Sequence, residues 1–319
     1  MKRILSGAAA LLLILILPLS AEAASLVPVG KLIGLQLRTE AVTVAAFDDA
    51  LGSGARDAGM QIGDRLLEVN GKRIREAADV PKLLEGGPCA ELTLIRGSRK
   101  LHITVPLCQT EEGQKLGVYL RQGISGIGTV TWYDPETGAF GALGHGVSGN
   151  DGLILPMMDG AAFDAELSSV RQGKSGEPGQ LRGETSPEKL RGTLEKNTPQ
   201  GVFGKTETPW EGQCLETADF DEIVLGEAVI RCTVSADGPR DHNVEIIKIY
   251  PKDRPDGRNF LIRVTDPELL KTTGGIIQGM SGSPIIQNGK LVGAVTHVLV
   301  NRPDTGYGIF IENMLTAAS

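Results

Sequence analysis

The sequence predicts a mainly β chain: an apolar N-terminal segment, then two modules of short strands. Three observations predict this. Glycine supplies 42 of the 319 residues and aromatics only 4%, which fits many tight turns better than a helix bundle. Stretches of β-forming residues recur along the chain, divided by turn residues. Helical periodicity is confined to a few short segments. The length suggests about two domains and is enough to bury a substantial core. Lys and Arg number 32 against 39 Asp and Glu, a formal charge of −7. That balance argues against nucleic acid as the main partner, because phosphate binding needs a basic surface. With 22% charged and 41% apolar residues, wholesale disorder is excluded.

The N-terminal segment comes first. Lys2 and Arg3 precede an apolar run from Ile4 to Leu19, interrupted only by Ser6, Gly7 and Pro18, and Ser20-Ala21-Glu22-Ala23-Ala24 follows. A positive start, an apolar stretch and a small-x-small site predict a signal peptide over residues 1–24, cleaved after Ala23, or an uncleaved membrane anchor. The run is short for a span of about 20 residues. Either outcome places the remainder outside the cytoplasm. Cys89, Cys108, Cys214 and Cys232 show no C-x-x-C spacing, which disfavours zinc and redox motifs. Export permits pairing of Cys89 with Cys108 and of Cys214 with Cys232; four buried thiols is the alternative.

The first module covers residues 27–107. Lys31–Leu37 and Ala41–Phe47 are predicted strands, and Gly54–Asp64 a short helix and turn. Arg65–Lys72 is a strand containing Asn70-Gly71, a strong turn signal. Ala78–Leu84 is helical in period, and Glu91–Arg96 with Lys100–Val105 form a hairpin around Gly97-Ser98. The stretch Ala58-Gly59-Met60-Gln61-Ile62-Gly63-Asp64-Arg65-Leu66-Leu67-Glu68-Val69-Asn70-Gly71 resembles the signature of PDZ domains. The resemblance implies that an extended peptide adds to a sheet edge. It also implies that Leu32, Ile33, Gly34 and Leu35, before the second strand, capture a peptide's terminal carboxylate.

The second module covers residues 115–319. Strand-like stretches fall at 128–133, 139–143, 227–234, 245–250, 261–264 and 291–300, and Asp134–Gly138 is a turn. Asp266 before Pro267 begins a short helix as its N-cap. Many short strands predict an antiparallel barrel or sandwich. The sharpest chemical signal is Gly279-Met280-Ser281-Gly282-Ser283-Pro284, followed by a hairpin closed at Asn288-Gly289. Glycines let the backbone turn its N–H groups toward one point, as an oxyanion hole requires. The loop resembles the G-D-S-G-G-P loop of chymotrypsin-like serine proteases. That resemblance implies a chymotrypsin-like antiparallel β-barrel, Ser281 as nucleophile, and the N–H groups of Gly279 and Ser281 as oxyanion donors. Met280 stands where the family has Asp, so activation by pairing with a new N-terminus is not expected.

A serine nucleophile needs a base. Of four histidines, His102 lies in an alternating strand of the first module, and His242 in a polar stretch with Asp241 and Asn243. His297 follows Ser281 on the next strand and fits the lining of the substrate cleft. His145, flanked by Gly144 and Gly146 at a strand end, precedes Ser281 as in chymotrypsin-like chains. His145 is the expected base and His297 the alternative. Asp266 lies between His145 and Ser281 and is the candidate third member, against its reading as a helix cap; Asp219, Asp221 and Asp241 are the others. The wall of the primary pocket is expected at residues 272–278 and 295–298.

The blocks Gly128–Gly146, Arg171–Gln180 and Gly279–Pro284 through Tyr307-Gly308 resemble the SpoIVB peptidase family of endospore-forming bacteria. The resemblance spans nearly the whole chain. It implies a serine endopeptidase exported across the forespore membrane into the intermembrane space. There it would cleave itself and a membrane-bound regulator of an intramembrane protease, so that a late sigma factor is activated. It implies a PDZ domain that recognises peptide termini, and it matches the family's His, Asp and Ser to His145, Asp266 and Ser281. No metal or cofactor is implied. Little chain separates the apolar segment from the PDZ module, so self-cleavage sites there are expected to be missing or shifted. The rival reading is a catalytically inactive PDZ scaffold that binds membrane-protein peptides; the intact His/Ser pair argues against it.

Overall fold

The computed structural model describes residues 24–149, 152–254 and 256–319. The predicted signal or anchor segment up to Ala23 lies outside the described residues. Among those described, no helix is long and apolar enough to cross a membrane.

The chain begins with β1 (Ser25–Pro28) and the long β2 (Leu32–Phe47). A PDZ module follows: α1 (Ser53–Asp57), β3 (Arg65–Val69), β4 (Lys72–Arg73), α2 (Val80–Leu83), β5 (Cys89–Arg96) and β6 (Arg99–Pro106). The small hairpin of β7 (Cys108–Thr110) and β8 (Gly113–Lys115) leads to β9 (Val118–Tyr133). Next come β10 (Ala139–Ala142), β11 (Asp159–Arg171), β12 (Gln180–Thr198), β13 (Gly201–Lys205) and β14 (Leu215–Glu216). The last part holds β15 (Gly226–Thr233), β16 (Pro239–Ile249), β17 (Phe260–Val264), α3 (Pro267–Thr273), β18 (Pro284–Gln287), β19 (Lys290–Leu299), β20 (Arg302–Phe310) and α4 (Ile311–Ala318).

These strands close two barrels. The pairings β2–β9, β9–β10, β10–β13, β13–β12, β12–β11 and β11–β2 are all antiparallel and return to their start. Ile33, Leu35 and Leu37 alternate inward along β2 and meet Val130, Phe140 and Leu194 in this barrel's core. The second barrel runs β15-β16-β17-β20-β19-β18, around Ile230, Ile246, Phe260, Ile262 and Phe310. The predicted mainly β architecture, with a PDZ domain and a barrel peptidase domain, is therefore present.

The modules are not strung in simple succession. Residues 25–38, which the sequence pattern assigns to the PDZ module, contribute strands to the peptidase body. Only the second half of β2 enters the PDZ sheet, where Val42 pairs with Leu66 of β3 and Val44 with Leu120 of β9. The PDZ module thus sits between the first two strands of the first barrel. A bulge makes the transition: between the pairs Arg38↔Gly123 and Thr43↔Arg121 the register shifts, with the extra residues on β2. Gly123 permits this turn-out. At its φ of 137° a Cβ would lie 2.0 Å from the Leu37 carbonyl oxygen.

This placement corrects one expectation. Leu32, Ile33, Gly34 and Leu35 do not form an open carboxylate-binding edge. Along one side they pair with residues 126–129 of β9, and on the other Ile33, Gly34 and Leu35 pair with β11. No backbone edge remains there for a peptide. The PDZ module has a core of its own: Val42, Met60, Leu66, Leu92 and Leu94 are buried together. Asn70 and Gly71 both have positive φ, the turn type that suits a hairpin. Buried Asp64 of the signature accepts from the Gln61 amide and two bonds from Arg96. The four cysteines are free thiols and only Cys232 is buried.

Candidate active site

His145 is presented by the turn after β10. Leu143 and Gly144 both adopt left-handed φ, 69° and 67°. A non-glycine residue in that region is strained, and Leu143 is held there by the hydrogen bond its N–H donates to the Thr129 carbonyl. The ring's Nδ1 lies 2.9 Å from the Gly146 carbonyl oxygen. A carbonyl can only accept, so Nδ1 carries the proton and Nε2 the lone pair, the tautomer a general base needs. Burial pushes the His145 pKa below the ordinary imidazole value, partly offset by that hydrogen bond.

Ser281 sits in a turn pinned from several sides. Its carbonyl accepts from the Thr129 amide at 3.1 Å, and the next amide, Gly282, donates to Val295 at 2.7 Å. The Thr129 hydroxyl donates to the Gly279 carbonyl at 2.8 Å. Thr129 therefore ties the serine turn and the histidine turn to the same point of β9. Met280 is fully buried beneath the loop. The amides alternate in use: those of Gln278, Met280 and Gly282 donate to Gly179, Ile277 and Val295. Those of Gly279 and Ser281 have no carbonyl partner among the described residues. The amide of Ser281 and the one two residues before it are thus left for another acceptor, as an oxyanion hole requires. The Ser281 hydroxyl itself donates to the Thr296 carbonyl at 2.7 Å.

His145 and Ser281 open onto one cleft of about 470 Å³, with His297 and Gln278 on its border. The His145 and His297 rings lie 4.9 Å apart between centroids. His297 is pushed down to about 4, first by burial and then by the neighbouring His145. Arg258 and Asp256 are the other charged groups that act on it. Of the stretches expected to wall the pocket, only Gln278 and His297 line the cleft. Ile276 and Ile277 are buried in the second barrel's core, beneath a loop tied to the flanking Thr273 and Gln278 by the bonds Gly173 N–H to Thr273 O and Gln278 N–H to Gly179 O.

Asp266 is not brought to His145. Its carboxylate caps α3, accepting from the Leu269 amide at 2.8 Å and the Asn243 amide at 3.4 Å. Its other neighbour is His242, at 3.5 Å from Nδ1. The alternatives are also engaged elsewhere or exposed. Asp219 caps the short helix 220–222, Asp221 lies exposed in it, and Asp241 pairs with Arg231 at 2.6 Å. No carboxylate lines the cleft among the described residues. The orienting acceptor for His145 is the Gly146 carbonyl. Sequence reasoning missed Thr129, buried and central to both turns, and the aliphatic cleft floor of β2; no local pattern marks either.

Two expected results follow from this geometry. Asp266→Ala loses about 1 kcal/mol of stability, the usual worth of an N-cap, while turnover per folded molecule stays within a few-fold of wild type. Asp266→Asn keeps both. Thermal melts with active-site titration check this, and a loss of orders of magnitude in Asp266→Asn would return Asp266 to the catalytic group. The second concerns pH. The unfolded His297 binds a proton near 6.5 but the folded one only near 4, so between these values the unfolded state holds more protons. Stability is therefore lost as pH falls through that window, and His297→Gln flattens the dependence. Melting temperatures of both proteins from pH 7 to 4.5 read it directly.

A serine and a histidine on one cleft between two β-barrels, the histidine in the tautomer a general base needs, two amides without carbonyl partners and an attached PDZ module are the parts that a PDZ-containing serine peptidase requires. Residues 50–96 match the PDZ domain family. Residues 112–315 match the family described as SpoIVB peptidase S55, and the chain belongs to that family. Among solved structures, one titled "Crystal structure of Rv3671c protease, inactive form" is similar, with 13% identity and a TM-score of 0.35, covering 60% of this chain and 82% of that one. No curated protein matches the sequence.

Proposed function

We propose that this peptidase is exported and acts during sporulation, cleaving itself and a membrane-bound regulator so that a late sigma factor becomes active. The observation that carries the enzymatic part is the shared cleft of His145 and Ser281 beside the free amides of Gly279 and Ser281. Support for the pathway comes from the sequence blocks that resemble the SpoIVB peptidases, and for export from the apolar N-terminal segment.

In the reaction, the Ser281 hydroxyl turns from the Thr296 carbonyl toward His145. Nε2 takes its proton as Oγ bonds to the peptide carbonyl carbon. The oxyanion lies against the N–H groups of Gly279 and Ser281. The C–N bond then breaks, and His145 returns the proton to the leaving amine. Water, deprotonated by His145, releases the acyl group and restores Ser281. No step calls on a metal or cofactor.

One observation favours the rival scaffold reading: the serine hydroxyl rests on Thr296 rather than on the histidine. Fluorophosphonate labelling separates the two. Labelling that disappears in Ser281→Ala supports the enzyme, and a wild-type protein that never labels supports the scaffold. For the pathway, a host strain carrying Ser281→Ala should accumulate both the full-length protein and the uncut regulator, and fail to complete spores. Normal processing and normal spore yield would overturn the proposal.

A further inference from the structure

We infer that the cleft beside Ser281 selects an uncharged aliphatic side chain on a substrate residue flanking the scissile bond, and that the two strands carrying the PDZ module supply the selecting surface. The inference rests on the peptidase reading above and names its substrate preference. Leu35 and Leu37 of β2 form the floor of the cavity, Ile124 and Ile127 of β9 its wall, with Leu143 and Val147 beside His145. Leu35 and Leu37 are 4% and 1% exposed, so the floor is rigid barrel core. No Lys, Arg, Asp or Glu lines the cavity among the described residues. A charged side chain entering it would lose its hydration without gaining a partner, whereas an aliphatic one would exchange water for six hydrocarbon neighbours.

The pocket expected from the second barrel does not compete. Its stretch through Ile276 and Ile277 is packed into that barrel's core under the loop that includes Gly173 and Gly179. Selection therefore passes to the first barrel. Leu35 and Leu37 lie outside residues 112–315, the part matched by the peptidase family, so that part alone lacks the floor. Both β2 and β9 continue from the cleft directly into the PDZ sheet.

The test uses the full chain and a peptide library varied on either side of one cleavable bond, read by mass spectrometry, with fluorophosphonate labelling in parallel. At one flanking position Leu, Ile or Val should exceed Ala by roughly tenfold or more, and Lys and Glu should go uncut. Leu37→Ala should shift the preference toward Phe, by enlarging the floor. Ile124→Lys, at a half-buried site, should admit Glu. Labelling reports which variants retain a reactive Ser281, and cleavage selectivity is compared among those. A preference for a charged residue, or unchanged selectivity in both labelling-competent variants, overturns the inference while leaving the peptidase intact. A wild-type protein that does not label defeats the peptidase reading instead.

Discussion

Ser281→Ala and His145→Ala should each lower peptide hydrolysis by on the order of ten-thousandfold or more, without loss of fold. The two residues share one cleft and act on one proton, so neither retains its value without the other. The double variant should therefore be little worse than either single one. Kinetics of all three, each checked for folding by its melting temperature, decide the point. Fully additive losses would place one of the two outside the reacting group. His145→Ala should also slow fluorophosphonate labelling severely, because Ser281 then has no acceptor for its proton. The acid limb of the wild-type rate should lie below 6.5, since burial depresses the His145 pKa and only the neutral ring is a base.

Gly282→Ala should be nearly as damaging, through the backbone. Gly282 has a φ of 96°, and an added Cβ would stand 2.0 Å from the Thr129 carbonyl oxygen and 2.5 Å from the Leu143 amide nitrogen. Those atoms are backbone inside a closed barrel and cannot yield cheaply. Strain of about 1–3 kcal/mol adds to an overpacking cost of similar size. The same two atoms are the bond that holds the His145 turn to Thr129, so the substitution also pushes base and nucleophile apart. Gly289→Ala is the control: its φ is 78° but nothing lies within 4 Å, so it should cost stability alone. Thermal unfolding and labelling rate per folded molecule separate the two. A Gly282→Ala protein that labels like wild type would show that the tie through Thr129 does not position the site.

Much of this was legible in local sequence. The alternation of Ile33, Leu35 and Leu37, the Asn70-Gly71 turn and the glycines around Ser281 each encode a conformation within a few residues of themselves. The cap at Asp266 was legible too, and the structure keeps that reading over the catalytic one: its oxygens are taken by the Leu269 and Asn243 amides and approached by His242. The carboxylate-binding edge at Leu32–Leu35 failed for a different reason. A strand's residues state that it is a strand but not which strands will pair with its edges.

By itself, then, the sequence determined the β character of the chain and the PDZ signature, and it singled out the Ser281 loop and the preceding His145 as the candidate pair. Each depends on backbone preferences and side-chain periods that act over a turn or a strand. Only the tertiary structure decided that β2 closes the first barrel, that the PDZ module is held between two of its strands, that Gly146 rather than Asp266 orients His145, and that Leu35 and Leu37 floor the cleft. Those outcomes depend on pairings such as Leu32 with Thr129 and Leu35 with Ala162. Partners so far apart in the chain are chosen by the closure of whole barrels, which satisfies every strand edge at once, and no local pattern carries that information.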